Sequence, residues 1–317
     1  MRRFAGLVAA AVLLAAAMAA RAEEGGVGHY SPGAFASFAD VMPAQPGVVA
    51  FNYFTYYDGS GSIDHQFPVS GRLVLKMGGG FHADSVGAFW VTPLKVLGAN
   101  YAMGIAVPFV KTDIQVQVTR SGGGQMRLGD SAGGMGDIQF WPVALVWGAR
   151  GGDLRVEFLG GVYAPSGKIE KSRLANPGLG YWTFEPGLLI SYLGQKSNFE
   201  FTTYLGYDIN TENHTTSYHS GQAFHIDATV AKHFPIGKGL IGIGANGFYL
   251  KQTTPDGGSG ALLGSFEAMT LGVGPVVSYA TQFKKVGLVA EVKWLPQLSA
   301  EHTLRGSYAW FKIGVQF

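Results

Sequence analysis

The 317-residue chain is only 14% charged, against roughly 25% for an ordinary globular domain, while its 48 glycines run at about twice the usual share. Its formal charge of +2 becomes −1 once Arg2, Arg3 and Arg21 are set aside, so no basic surface is left to recruit nucleic acid. There is no cysteine, so disulfides are excluded as a source of stability.

Residues 1–22 read as a secretory signal peptide. Arg2 and Arg3 form the basic start, Leu7 to Ala20 the apolar run, and Ala20-Arg21-Ala22 the cleavage site, so the mature chain begins at Glu23. An uncleaved anchor helix is the alternative, but the run is short and alanine-rich. The rest contains no clean run of eighteen apolar residues. The nearest, Ala268 to Phe283, is interrupted by Gly272, Gly274 and Pro275. An oily exported chain without a spanning helix has one common solution, because only helices and closed β-barrels satisfy their backbone inside hydrocarbon.

Residues 23–46 form a separate N-terminal segment. Pro32, Pro43 and Pro46 bar it from a central strand. Ser31-Pro32 suits an N-cap followed by a first-turn proline, which predicts one or two helical turns over Ala34 to Asp40. The segment is long enough to fold back as a plug, with His29, Tyr30 and Pro32 as gate residues. Equally, it can hang as a periplasmic tail.

Residues 47–317 then divide into about twelve staves, at 47–58, 82–96, 99–118, 134–148, 152–165, 180–194, 196–210, 219–233, 238–252, 265–281, 284–296 and 301–317. Most are longer than the five or six residues, roughly, of a soluble strand. Short connections such as "VLGA", "LGQK" and "QFKK" alternate with long polar ones such as "GSGSIDHQFPVSGRLVLKMGGG", "RSGGGQMRLGDSAG" and "SGKIEKSRLANPGLG". That alternation separates periplasmic turns from extracellular loops, and the fold class expected is an all-β, transmembrane, antiparallel barrel in the outer membrane of a Gram-negative bacterium. Tyr53, Trp147, Trp182, Tyr192, Tyr279 and Trp294 suit aromatic girdles at its two interfaces.

Parity assigns the faces. In "DLRVEFLGGVY" Leu154, Val156 and Phe158 face lipid, leaving Arg155 and Glu157 inside; the last stave puts Phe311, Ile313, Val315 and Phe317 outside and Lys312 and Gln316 inside. The lumen-lining candidates are Arg155, Glu157, Glu185, Glu200, Asp208, His225, Asp227, Glu291, Lys293 and Lys312. Charges in a narrow lumen must be paired or wet. They therefore form either a network of ion pairs that helps to plug the barrel, or a hydrated path with acidic and basic walls.

The stretches Gly28-His29-Tyr30-Ser31-Pro32-Gly33, Pro43-Ala44-Gln45-Pro46-Gly47, Asn52-Tyr53 with Tyr56-Tyr57, Gly134-Met135-Gly136-Asp137-Ile138 with Pro142, Leu145 and Trp147, and Tyr163-Ala164-Pro165-Ser166-Gly167 are spread along the chain. Together they resemble the MetA-pathway of phenol degradation family, which includes sphingosine-responsive relatives. The resemblance runs over most of the mature chain. It implies an outer-membrane channel, often encoded beside the catabolism of aromatic or other hydrophobic compounds, with no catalytic residues. Resemblance to outer-membrane proteins also implies that the barrel-assembly machinery reads the terminal Phe317.

Other motifs carry little. Gly242-Ile243-Gly244-Ala245-Asn246-Gly247 matches a dinucleotide fingerprint, but no helix pattern follows it. His225 and His233 would lie about 26 Å apart on one strand, and His214 and His219 read as solvated loop residues, so no metal and no cofactor are expected. His219-Ser220 are adjacent and point to opposite faces, so they cannot form a hydrolytic dyad with each other. Ser217 could share a face with His219, but the sequence places no third partner. The function expected is a passive channel for small hydrophobic or aromatic solutes. A plugged barrel that binds or senses lipids or amphiphiles is the alternative, and a surface lipid hydrolase comes third. The partners expected are outer-membrane lipids, the assembly machinery and a small hydrophobic solute.

Overall fold

The computed structural model describes residues 28–67, 71–120, 125–261 and 266–317. The expected signal peptide and the first residues of the N-terminal segment, up to residue 27, lie outside these. Thirteen strands occur among the described residues: β1 (Gly47–Phe67), β2 (Gly71–Val96), β3 (Ala99–Arg120), β4 (Gln125–Met135), β5 (Ile138–Ala149), β6 (Leu154–Ala164), β7 (Thr183–Leu193), β8 (Phe199–Asn210), β9 (Ala223–Ile236), β10 (Gly239–Gln252), β11 (Met269–Phe283), β12 (Val286–Glu301) and β13 (Arg305–Gln316).

Twelve of them close a ring. Each strand pairs antiparallel with the next, and β1 closes on β13 in continuous register from Val49 opposite Gln316 to Ser60 opposite Arg305. β4 stands outside the ring and pairs with the outer half of β3 alone. Closure leaves no unpaired edge in the ring, which lets a sheet cross hydrocarbon.

The facing follows the sequence period. Along β7, Thr183, Glu185, Gly187, Leu189 and Ser191 are buried, while Phe184, Pro186 and Leu188 are exposed. On β8, Phe199, Phe201 and Ile209 are outside and Glu200, Tyr204 and Asp208 inside. Apolar side chains are thus exposed all round the ring, including Val230, Val277, Val292 and Phe311. A water-soluble monomer rarely exposes such a continuous apolar surface, whereas a barrel in lipid requires it. Trp182, Tyr279 and Trp294 are among the exposed aromatics. Tyr53, read as a girdle residue, instead turns inward with Phe51 and Thr55, and the Lys312 ammonium lies 5.0 Å from its ring.

The two ends differ as expected, with one correction. Tight turns occupy one end, such as Leu97-Gly98, both with positive φ (50° and 80°), the geometry of a primed hairpin turn. At the other end the stretches read as loops after the first and third staves are largely strand. β1 runs on to Phe67, β2 begins at Gly71, and β4 pairs Gln125–Met135 with Thr119–Phe109. Backbone pairing between neighbours holds a ribbon together in water even where its side chains are glycine, serine or charged. Side-chain pattern alone therefore ends these strands too early. The 26 residues of β2 span roughly 86 Å at about 3.3 Å each, far more than the nine to eleven, roughly, that cross a bilayer.

The fourth stave is also broken. β4 and β5 follow one another along the same flank of β3, with Met135 opposite Phe109 and Gln139 opposite Ala106. Gly136 and Asp137 interrupt them. β6 pairs with β5 only as far as Ala164, opposite Ile138, and the chain then leaves the wall as the long segment 165–182.

Candidate functional site

Residues 28–46 lie inside the ring. They contain one short 3-10 turn, Phe38–Asp40, where the helical turns were expected, with Ser37 and Asp40 exchanging capping contacts at its start. An irregular segment cannot satisfy its own backbone, and in a barrel its partners must come from the wall. The wall supplies them. Asp227 accepts from the Gly33 amide (3.0 Å), Glu200 from Phe38 (2.7 Å) and Glu157 from Met42 (2.8 Å). Lys293 donates to the carbonyls of Gly33 (3.1 Å) and Phe35 (3.4 Å). Lys312 donates to the Ala34 carbonyl (2.6 Å) and the Asp40 carboxylate (2.7 Å), and the Trp310 indole to the Pro32 carbonyl (3.0 Å). Each is a charged or strong donor or acceptor on an inward parity position of β6, β8, β9, β12 or β13.

Apolar packing completes the seat. Phe35 and Met42 are buried against Trp141, Leu159, Leu189 and Tyr204, worth about 1.5–3 kcal/mol for each side chain. Gly33 has φ +86°, and an added Cβ there would sit 2.3 Å from Leu295 Cδ1. His29 bonds Asp137 (3.0 Å) and Thr183 (2.7 Å) and stacks on Tyr163 at 4.8 Å. Tyr30 stacks on the His225 ring at 3.5 Å.

The sequence-derived list maps onto this arrangement unevenly. Glu157, Glu200, Asp227, Lys293 and Lys312 contact the N-terminal segment directly. Glu291 reaches both lysines, at 3.2 Å from Lys293 and 3.4 Å from Lys312. Glu185, Asp208 and His225 form a second group behind Tyr30. Arg155 stands apart at the tight-turn end, where it donates to the Gly152 and Leu154 carbonyls. Of the histidines, His214 is exposed and His219 bonds the Asn210 carbonyl. The glycine-rich stretch 242–247 lies within β10, a strand with no helix after it among the described residues.

Beyond the segment, toward the long-connection end, lies a cavity of about 780 Å³. Phe35 and Ala34 lie at its base, Phe51, Phe81, Ile114 and Trp141 are among its wall residues, and residues 169–179 of the long segment line it from beyond. That segment is tied down by two carboxylates. Asp130 on β4 takes a two-pronged contact from Arg173 (2.7 and 3.2 Å) and accepts from the Leu174 and Ala175 amides. These donors hold the Asp130 carboxyl well below the usual carboxylate range, the Arg173 hydrogen bond foremost. Asp137, at the break in the fourth stave, accepts from Gly167 (2.8 Å) and Leu179 (2.7 Å). Sequence reasoning missed Asp130 and Arg173 as partners, because nothing local links residues 43 apart. Each follows a glycine-rich or polar stretch that reads only as loop.

Comparison with known proteins fits this architecture. No curated protein matches the sequence significantly. Among solved structures, the chain is similar to the COG4313 outer membrane channel from Pseudomonas putida F1, at 12% identity and a TM-score of 0.55, covering 91% of this chain and all of that one. A more distant likeness, at 11% identity and a TM-score of 0.33, is to the beta domain of the Bordetella autotransporter BrkA, covering 86% of this chain and 99% of that domain. The first establishes a shared fold, that of an outer-membrane barrel; the second is too distant to add to it. The family model described as "Putative MetA-pathway of phenol degradation" matches residues 65–313, most of the chain, and the protein belongs to that family.

Proposed function

We propose that this barrel is a passive outer-membrane channel for small hydrophobic or aromatic compounds, gated by residues 28–46. The observation that carries the reading is the cavity. Its wall is largely apolar and aromatic, it begins beneath the long segment, and it ends on Ala34 and Phe35 of the segment that fills the lumen. Pockets for small organic ligands set placed polar groups amid hydrophobic and aromatic walls, and here His29, Asp137, Glu170, Lys171 and Arg173 stand among the lining residues. A hydrophobic solute in the cavity therefore rests against the plug itself, and displacing the plug is the step that would let it pass.

The second reading, a plugged barrel that binds or senses amphiphiles, is favoured by how fully the segment is bonded to the wall. One pair of measurements separates them. Removing residues 23–46 behind an intact signal peptide keeps every strand. In the channel reading, purified barrel in planar bilayers then conducts more than wild type, and vesicles containing it take up an aromatic solute faster. Tight binding of an amphiphile, with conductance and uptake unaltered by the deletion, supports the sensing reading and ends the channel one.

A further inference from the structure

We propose that the barrel interior holds a divalent transition-metal ion, zinc in the first instance, between Glu185 of β7, Asp208 of β8 and His225 of β9. The three residues project inward from consecutive strands. One possible ligand atom from each lies within 4.8 Å of the others, and all three are buried. The His225 Nε2 stands 3.4 Å from Glu185 Oε1 and 3.7 Å from Asp208 Oδ1. Those separations exceed the roughly 2.7–3.2 Å of a good N–H···O hydrogen bond. They approach instead the edge of a tetrahedron with bonds of about 2.1 Å, which is about 3.4 Å.

His29 on the segment and His233 on the wall show what ordinary pairing looks like here. His29 bonds Asp137 and Thr183 at 3.0 and 2.7 Å, and His233 bonds Glu200 at 2.6 Å. His225 is the exception. It is 0% exposed, yet neither ring nitrogen has a hydrogen-bond partner, nor does Asp208 Oδ1. Charge balance points the same way. Two carboxylates neutralise a divalent cation beside a neutral imidazole, so the group is matched in charge to such an ion. His225 cannot share an ion with His233 along one strand, but it can with carboxylates on the two strands beside it.

The site is also built around. Gly206 is opposite His225 and Gly187 is opposite Gly206 in the ladder. An added Cβ at Gly206 would fall 2.1 Å from His225 Cε1, and one at Gly187 2.2 Å from the Tyr204 hydroxyl. Both glycines thereby make room for rings lying flat on the wall. The Tyr204 hydroxyl donates to Glu185 Oε1 at 2.7 Å, the kind of outer contact that orients a metal-binding carboxylate. Tyr30, stacked on the imidazole, covers the group from the plug side, so an ion that fixes His225 also fixes the surface on which the plug rests.

The test uses full-length protein, purified without a histidine tag and dialysed against buffer containing about 10 µM zinc, then against metal-free buffer. Elemental analysis should find close to one zinc per folded barrel. X-ray absorption at the zinc edge should show nitrogen and oxygen neighbours consistent with one imidazole and carboxylates. His225→Gln and Asp208→Asn should lose the ion at least tenfold while keeping the heat-modifiable gel migration of a folded barrel. His29→Gln and His233→Gln should retain it. Wild-type barrel that keeps less than about a tenth of an equivalent overturns the proposal without any variant. So does full retention in both His225→Gln and Asp208→Asn.

Discussion

Lys312 is the side chain whose loss should most directly release the plug. It is buried, and its ammonium contacts the Ala34 carbonyl and the Asp40 carboxylate on the segment and lies 3.4 Å from Glu291 on the wall. Lys312→Met keeps the length of the side chain and the backbone pairing of β13 but leaves Asp40 without its cation. Breaking a buried pair from one side costs about 3–5 kcal/mol, because the remaining charge is stranded. That cost falls on the seated plug alone, since a displaced Asp40 is hydrated. The balance between seated and released plug should shift by roughly a hundredfold to a few thousandfold, at about 1.4 kcal/mol for each factor of ten. Single-channel recordings should show more frequent or longer open events, and a protease site engineered at residue 36 should be cut faster. Adding Asp40→Asn should recover much of the loss, because the stranded charge is gone. Lys312→Met with wild-type conductance and wild-type protection at residue 36 would refute the idea that these contacts hold the plug.

Gly33→Ala should have a similar but wholly steric effect, since positive φ and the 2.3 Å approach to Leu295 both oppose it; faster proteolysis of the segment, with unchanged gel migration of the folded barrel, is the expected result. At the outer end, the Asp130 carboxyl is held low in the folded state, so its contribution to a fixed 165–182 segment is present above the ordinary carboxylate pKa of about 4. It is lost only as the pH falls below that value. Protection factors in this segment, the intrinsic exchange rate at each pH divided by the observed one, should therefore be flat from neutrality to about pH 4 and fall below it. Arg173→Ala should lower protection above that pH, by a small factor given the partial exposure of the pair. Phe81→Arg, a charge placed in the cavity wall, should cut uptake of an aromatic solute at least tenfold without altering heat modifiability. An epitope inserted at Gly258 should label whole cells, whereas one at Gly151, in a tight turn at the other end, should not.

The barrel was legible because lipid imposes a period-2 pattern that survives in the sequence. The alternation in "DLRVEFLGGVY" and in the last stave assigns the same faces as the structure. What failed was strand length outside the membrane. Around "GSGSIDHQF" and "QMRLGDSAGGM" neither face is apolar, and pairing rests on backbone bonds that side chains do not announce. The inward position of Glu157, Glu200, Asp227, Lys293 and Lys312 could be read from parity. Their partners could not, because the groups they bond are main-chain amides and carbonyls of the segment 28–46, which look the same whatever the side chain. The Asp130–Arg173 pair was hidden for the opposite reason: the residue types are informative, but their meeting depends on the path of two long connections.

The irregularity of the segment explains why the wall is charged. A helix would satisfy most of its own donors and acceptors and could sit in an apolar barrel. Residues 28–46 leave Gly33, Phe38 and Met42 amides and the Pro32, Gly33, Ala34 and Phe35 carbonyls to be met from outside, and the wall meets each with a carboxylate, an ammonium or an indole. Such bonds are strong while dry, and water can replace them one for one when the segment moves, so release does not strand a buried group as long as the lumen wets at the same time. The apolar cavity and the polar seat therefore lie on opposite sides of one segment. In the proposed channel, a solute would gain by pressing on Ala34 and Phe35, and water by entering behind them. Under the proposed channel reading, a gate with these two faces would respond to a hydrophobic solute while holding against small ions, and the Lys312→Met and Phe81→Arg variants test the two faces separately.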